Sequence, residues 1–277
     1  MAENLEQLNQ VLTDFAAKVN GDQPVQAIKA GEPLKVGVDL GTSSIVLTVL
    51  TANNRPVYGA FEYANAVRDG IVVNYMESVQ ILKRLKEKAE RVLGVELTQA
   101  CGAIPPGTGE SSQRIVANVI EAAGFECCDV VDEPTAAGKF LRVQNGTVVD
   151  IGGGTTGISV FAEGKLVKVI DEPTGGTHMT LVLAGYHHLP YEKAELLKRD
   201  AAKETEVFPI IRPVVEKMAM ITKNEIQDQL ITPVYVVGGT TNFTQFETVF
   251  TKTLGVEVLK PTYPQFVTPL GIGMYEI

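Results

Sequence analysis

Between Val36 and Leu50 the chain reads "VGVDLGTSSIVLTVL": apolar residues in two short runs, broken by a turn of glycine and hydroxyl residues. Such runs, rich in Val, Ile and Leu and bounded by a turn signal, predict two strands of a hairpin. The pattern returns at Thr147–Ala162, "TVVDIGGGTTGISVFA". In both, an aspartate (Asp39, then Asp150) closes the first strand just ahead of the glycines.

The surrounding periodicity extends each hairpin in the same order. In the first half, strands are predicted over Leu34–Gly41, Ser44–Thr51 and Pro56–Tyr63. A helix follows over Tyr75–Leu93, a strand at 97–105, a helix over Glu110–Ala123, a short strand at 125–131 and a helix over Glu133–Val143. In the second half, strands fall at Gly146–Ile151, Thr155–Ala162 and Lys165–Ile170. Helical sequence covers Met179–Gly185, Tyr191–Asp200 and Ile210–Gln229, then a strand "TPVYVVGG", a helix over Phe243–Leu254 and a strand "VEVLK". Three strands in hairpins, then helix, strand, helix, strand: the order is duplicated, which predicts an α/β protein of two similar lobes with a ligand cleft between them. Ahead of both halves, Leu5, Leu8, Leu12, Phe15 and Val19 recur at helical spacing, and a stretch with glycines and prolines at 20–33 reads as a linker. The division expected is 1–33 helix and linker, 34–145 first lobe, 146–261 second lobe.

Composition narrows the class. The chain has 277 residues, 45% of them hydrophobic, ample for two modest lobes. No segment approaches the roughly 20 uninterrupted apolar residues of a membrane span, and "MAENLEQLNQ" lacks the basic-then-apolar pattern of a secretory signal, so a cytoplasmic setting is expected. A net charge of −9 with a pI near 5.0 argues against a long nucleic-acid footprint. It leaves a nucleotide open, because backbone amides hold phosphate without basic side chains. The cysteines, Cys101, Cys127 and Cys128, lack metal-type spacing and are expected as buried reduced thiols on strands. His178, His187 and His188 are expected as packing or surface residues.

The glycine turns suggest a chemistry. Without a Cβ, a turn lets a phosphate approach its N–H groups. Gly41 with Thr42 and Ser43 would hold one phosphate, and Gly152, Gly153 and Gly154 with Thr155 another. An acid beside each turn, Asp39 and Asp150, suits a hydrated Mg²⁺, which takes one or two protein carboxylates. Either turn alone is equally an ordinary hairpin turn; the matched pair is what points to a polyphosphate. Gly238, Gly239 and Thr240 end another strand where backbone can lie against a sugar or base. Gly175 and Gly176 precede a helix, and the next helix carries Glu192, Lys193, Glu195 and Lys198, charges that suit a solvated face as well as a nucleotide. Glu133, at a strand-to-helix junction, is placed to orient an attacking water if it faces the cleft.

In order, "GVDLGTSS", "VDEPTAAG", "VVDIGGGTTGISV" and "VYVVGGTTNF" resemble the first phosphate, first connecting, second phosphate and adenosine motifs of the actin, sugar-kinase and heat-shock-chaperone ATPase superfamily. "TPLGIGMYE" is similar to its second connecting segment. "EPTAA" followed by "DIGGGT" is nearest the DnaK-type chaperones and the FtsA/MreB proteins. Within the superfamily the chain is similar to its compact DnaK-like branch tied to ethanolamine utilization and bacterial microcompartments. The resemblance implies a two-lobe, ribonuclease H-like duplicated fold with reduced insertion subdomains, the 262–277 segment returning to the first lobe. It implies ATP with Mg²⁺ in the cleft, Asp39 and Asp150 at the metal, and Glu133 and Asp150 directing water. Gly41–Ser43 and Gly152–Thr155 would take phosphates, Gly238, Gly239 and Thr240 the adenosine side, and Gly175, Gly176, Glu192 and Lys193 further nucleotide contacts. A weak ATPase is implied, since the family's hydrolytic lysine on the first-lobe insertion has no counterpart. The activity implied is chaperone-like, with ethanolamine-utilization enzymes or microcompartment shell proteins as partners; a small-molecule kinase and a filament or scaffold protein are the alternatives. The first 20 residues resemble the tags that attach cargo to such shells, and equally a helix packing on its own lobe.

Overall fold

A computed structural model describes residues 2–64, 66–68, 71–226 and 229–275. After helix α1 (Ala2–Ala16), the first half builds strands β1 (Leu34–Leu40), β2 (Ser44–Thr51) and β3 (Pro56–Tyr63), and a small pair, β4 (Val67–Arg68) and β5 (Ile71–Val72). Helix α2 (Tyr75–Leu93), β6 (Gln99–Ile104), α3 (Gly109–Ala122), β7 (Glu126–Asp132) and α4 (Glu133–Leu141) follow. The second half runs β8 (Gly146–Ile151), β9 (Thr156–Ala162), β10 (Lys165–Glu172), α5 (Gly176–His187), α6 (Tyr191–Arg199), α7 (Glu204–Ile226), β11 (Val234–Val237), α8 (Phe246–Leu254), β12 (Val258–Leu259) and α9 (Val267–Ile272).

Two five-stranded sheets result, ordered β3-β2-β1-β6-β7 and β10-β9-β8-β11-β12. In each, the hairpin strands pair antiparallel and the strands reached through a helix pair parallel. The duplication read from the sequence is thus present strand for strand. The central strands β1 and β8 are buried along most of their length, and carry Asp39 and Asp150 as their next-to-last residues. Both acids therefore emerge at the carboxyl ends of sheet-centre strands, where α/β folds place ligands.

Each sheet packs its helices into its own core: Val38, Leu47, Tyr58, Leu82 and Ile120 in the first lobe, Val149, Ile158, Phe208, Met218 and Phe250 in the second. A third cluster joins the lobes, gathering Leu50, Phe140, Val148, Phe161, Val237, Val267 and Leu270. Helices α4 and α9 cross inside it so closely that a Cβ on Gly271 would run into the Ala136 carbonyl.

Several expectations change on the structure. Helix α1 buries Leu8, Leu12 and Phe15 in the junction cluster, and the segment after it is no free linker. Asn20 and Val25 donate backbone hydrogen bonds to Gly59 and Val57 at 2.9 and 2.7 Å, covering the outer edge of β3. The packed body thus includes residues expected to precede it. The helix expected over 210–229 already starts at Glu204 and holds Pro209 and Pro213 inside it; burial of Val207, Phe208 and Ile211 outweighs the proline signal. Its expected end at 227–229 runs through 227–228, and the returning C-terminal segment through 276–277, all four outside the described residues. The helix expected from Phe243 is a 3₁₀ turn over Gly239–Asn242 and then α8. Cys101 is buried, but Cys127 is only half-buried and Cys128 is exposed. Both lie on β7, an edge strand whose pairing with β6 is irregular at Ala100/Cys101. Among the described residues no helix is long and apolar enough to cross a membrane.

Candidate functional site

Between the lobes lies a cavity of about 490 Å³ whose lining includes both glycine turns, Asp39, Glu133 and Asp150. The turns meet across it: a Cβ on Gly153 would collide with Ser43 Oγ and stand 3.2 Å from Thr42 Cβ. Only a residue without a side chain lets the second turn approach the first so closely. The second turn is braced from behind. Gly176 and Thr177 at the start of α5 donate to the carbonyls of Gly152 and Gly153 at 3.0 and 2.8 Å, and Thr240 Oγ1 donates to Gly152 at 2.7 Å. The brace engages carbonyl oxygens, a disposition that suits a turn whose amides meet an anion.

Three carboxyls share this space. Burial, and then Asp150, push Asp39 up to about 7. Burial pushes Asp150 up to about 6 against a hydrogen bond from the Thr268 hydroxyl. Glu133, at the start of α4, is held well above its ordinary value by burial and then by Asp39 and Asp150. Among the described residues none of the ion pairs involves these acids. Asp150 is buried and Asp39 and Glu133 are half-buried, and acids so placed, close together and unneutralised, are a receptive place for a cation. No described group of three or more His, Cys, Asp or Glu residues would ligate a metal by itself, so a cation here would draw on one or two carboxylates, phosphate oxygens and water.

The other expected positions divide. Gly238, Gly239 and Thr240 line the cavity. Gly175 and Gly176 are absent from its lining and instead pack under it, Gly175 against the Gly153–Gly154 backbone and Gly176 against Thr240. Glu192 and Lys193 are exposed on α6 and do not line the cavity. The same helix turns Glu195, Lys198 and Arg199 inward, because Ala194 is the residue it buries. Glu195 accepts from Lys198 and Arg199, each at 2.7 Å. Burial alone would raise Glu195; Lys198, Thr180 and Arg199 outweigh it and hold the carboxyl below its usual range. Lys198 also donates to the Gly176 carbonyl at 2.9 Å. The sequence offers Glu195 and Lys198 beside Glu192 and Lys193 without separating them, and the structure adds Arg199, one position on. The structure also adds an aromatic wall of Phe61, Tyr63 and Phe266, together with Thr268, which joins the end of β3 to the C-terminal segment. The histidines stay outside the lining, and His178 Nδ1 accepts from the Gly175 amide at 3.3 Å.

Comparison with known proteins agrees with this architecture. The MreB/Mbl protein family model matches residues 57–204, more than half the chain, and the cell division protein FtsA model matches 147–271. Ethanolamine utilization protein EutJ of Salmonella typhimurium is 42% identical over 242 residues, 87% of this chain and 85% of that protein. The chain belongs to the EutJ family. The crystal structure of EutJ from Carboxydothermus hydrogenoformans superposes with a TM-score of 0.92 at 46% identity, covering 99% of this chain and all of that one. More remote likenesses give the wider fold. MreB5 of Spiroplasma citri bound to AMPPNP reaches a TM-score of 0.70 at 14% identity over 88% of this chain and 96% of that one. Chaperone protein DnaK of Prochlorococcus marinus is 32% identical over 37% of this chain and 17% of its own length. This EutJ-family chain therefore has the actin-like ATPase fold, in a compact form.

Proposed function

We propose that the protein binds Mg²⁺–ATP between the Asp39 and Asp150 turns, hydrolyses it slowly, and uses the resulting lobe movement in a chaperone-like role. Its clients would be the enzymes or shell of ethanolamine catabolism, in the cytoplasm or at the microcompartment. The observation that carries this reading is the contact between the Gly41–Ser43 and Gly152–Thr155 turns across a cavity lined by Asp39, Glu133 and Asp150. Amides of both turns would grip the phosphates, with Thr42, Ser43 and Thr155 adding hydroxyls. Asp39 and Asp150 would hold the cation, which supplies neutralisation of phosphate charge. Glu133, whose carboxyl burial and then Asp39 and Asp150 hold well above its ordinary value, would orient the attacking water and take up its proton once a cation lowers the local negative potential. Glu195, Lys198 and Arg199 would face the nucleoside end. The bound nucleotides of MreB5 and the DnaK likeness support the nucleotide; the family name supports the ethanolamine setting. Refolding of ethanolamine ammonia-lyase from denaturant, with wild type and Asp150→Ala in the presence of ATP, tests the role. A higher yield of active enzyme with wild type only is expected; equal yields would remove the chaperone reading, and phosphorylation of a metabolite would replace it with a kinase.

A further inference from the structure

Helix α9 comes from the end of the chain, yet it reaches the acid at the heart of the second lobe. The hydroxyl of Thr268 donates to Oδ2 of Asp150. Both residues are buried, with 4% and 7% exposure, and both line the cavity. The segment around it, "FVTPLGI", is otherwise apolar, and a hydroxyl buried in such a run needs a partner. Asp150 is the partner it has. The other carboxylate oxygen, Oδ1, lies against Gly238, where a Cβ would stand 2.5 Å from it and where φ is +90°. One oxygen is thus tethered by a side chain, and the other lies against backbone that carries no side chain of its own.

The tether is fixed to the opposite lobe. Thr48 of β2 donates its hydroxyl to the Pro269 carbonyl at 2.8 Å, and α9 packs on β1 and α4. The residue holding Asp150 is therefore anchored one position away to the first sheet. Any change in lobe angle that moves α9 relative to β8 strains or releases this hydrogen bond.

We infer that Thr268 is a positioning residue for Asp150: it fixes Oδ2 so that Oδ1 faces the cation, and it makes that orientation depend on how the first lobe sits. This rests on the Mg²⁺–ATP reading above. The test is ATP binding by calorimetry on the full chain, with and without MgCl₂, for wild type, Thr268→Val, Thr268→Ser and Asp150→Asn. In Thr268→Val, affinity without magnesium is expected to match wild type, while affinity with magnesium falls about tenfold; Thr268→Ser, which keeps the hydroxyl, stays within about twofold of wild type. Thr268→Ala carries the same expectation should the valine variant not fold. A full magnesium-dependent gain in Thr268→Val, or an equal loss with and without magnesium shared by the serine variant, overturns the inference. Asp150→Asn separates the two levels. If it keeps the magnesium gain, the reading of the site fails; if it loses the gain while Thr268→Val keeps it, only the role of Thr268 fails.

Discussion

Arg199 of the second lobe holds its guanidinium carbon 3.9 Å from the centre of the Tyr63 ring of the first. Arg199 is itself oriented by Glu195 at 2.7 Å, and both partners line the cavity between the lobes. The pair is a bridge from one lobe to the other, at the cavity proposed to hold the nucleotide. Tyr63 is 62% exposed, so replacing it disturbs no core. A cation–π contact at such a site contributes about 0.5–1 kcal/mol. Tyr63→Leu should therefore speed release of a fluorescent ATP analogue by about two- to fivefold, measured by stopped flow, with the melting temperature unchanged.

The approach of the two turns makes Gly153 the most sensitive glycine of the site. Gly153→Ala would set a methyl group against Ser43 Oγ and Thr42 Cβ, forcing the turns apart. ATP affinity should fall by at least about tenfold, while overpacking costs the fold about 1–3 kcal/mol. Titration calorimetry alongside chemical denaturation separates the two effects.

The acids of the site give a pH dependence with a definite sign. Carboxyls in an unfolded chain titrate near 4, whereas Asp39 is pushed up to about 7 and Asp150 to about 6. Between these limits the folded protein binds more protons than the unfolded one. The stability from these groups is complete below about pH 4 and declines as pH rises through about 7. Melting temperature without nucleotide should therefore drop from pH 5 to pH 8, and drop less in Asp39→Asn. A cation competes with those protons, so the stabilisation by Mg²⁺–ATP should be larger at pH 8 than at pH 5.5.

Phe15 anchors α1. Its ring meets Phe266 edge-on with centroids 5.3 Å apart, and Gly59 leaves the room it occupies, since a Cβ there would strike the Phe15 ring. Phe15→Ala should destabilise the protein by about 3–5 kcal/mol, read from urea unfolding. A dispensable tag would show no loss.

Most of the architecture was legible in the chain because its determinants are local. Alternating apolar runs set β1–β3 and β8–β10, and the glycine turns located Asp39 and Asp150. What escaped was set by distant partners. Thr268 reads as one more small residue in an apolar run until α9 packs on β1 and α4 and brings its hydroxyl to Asp150. Glu195, Lys198 and Arg199 are indistinguishable from Glu192 and Lys193 until Ala194 shows which side of α6 is buried. The segment at 20–33 has linker composition, and only the uncovered edge of β3 explains why it lies down there.

The central claim is met most directly by a crystal of the full chain soaked with AMPPNP and MgCl₂. The account predicts the triphosphate between Gly41–Ser43 and Gly152–Thr155, with the cation on the side of Asp39 and Asp150. A nucleotide bound elsewhere on the surface, with the turns still touching and the cavity holding only water, would contradict it.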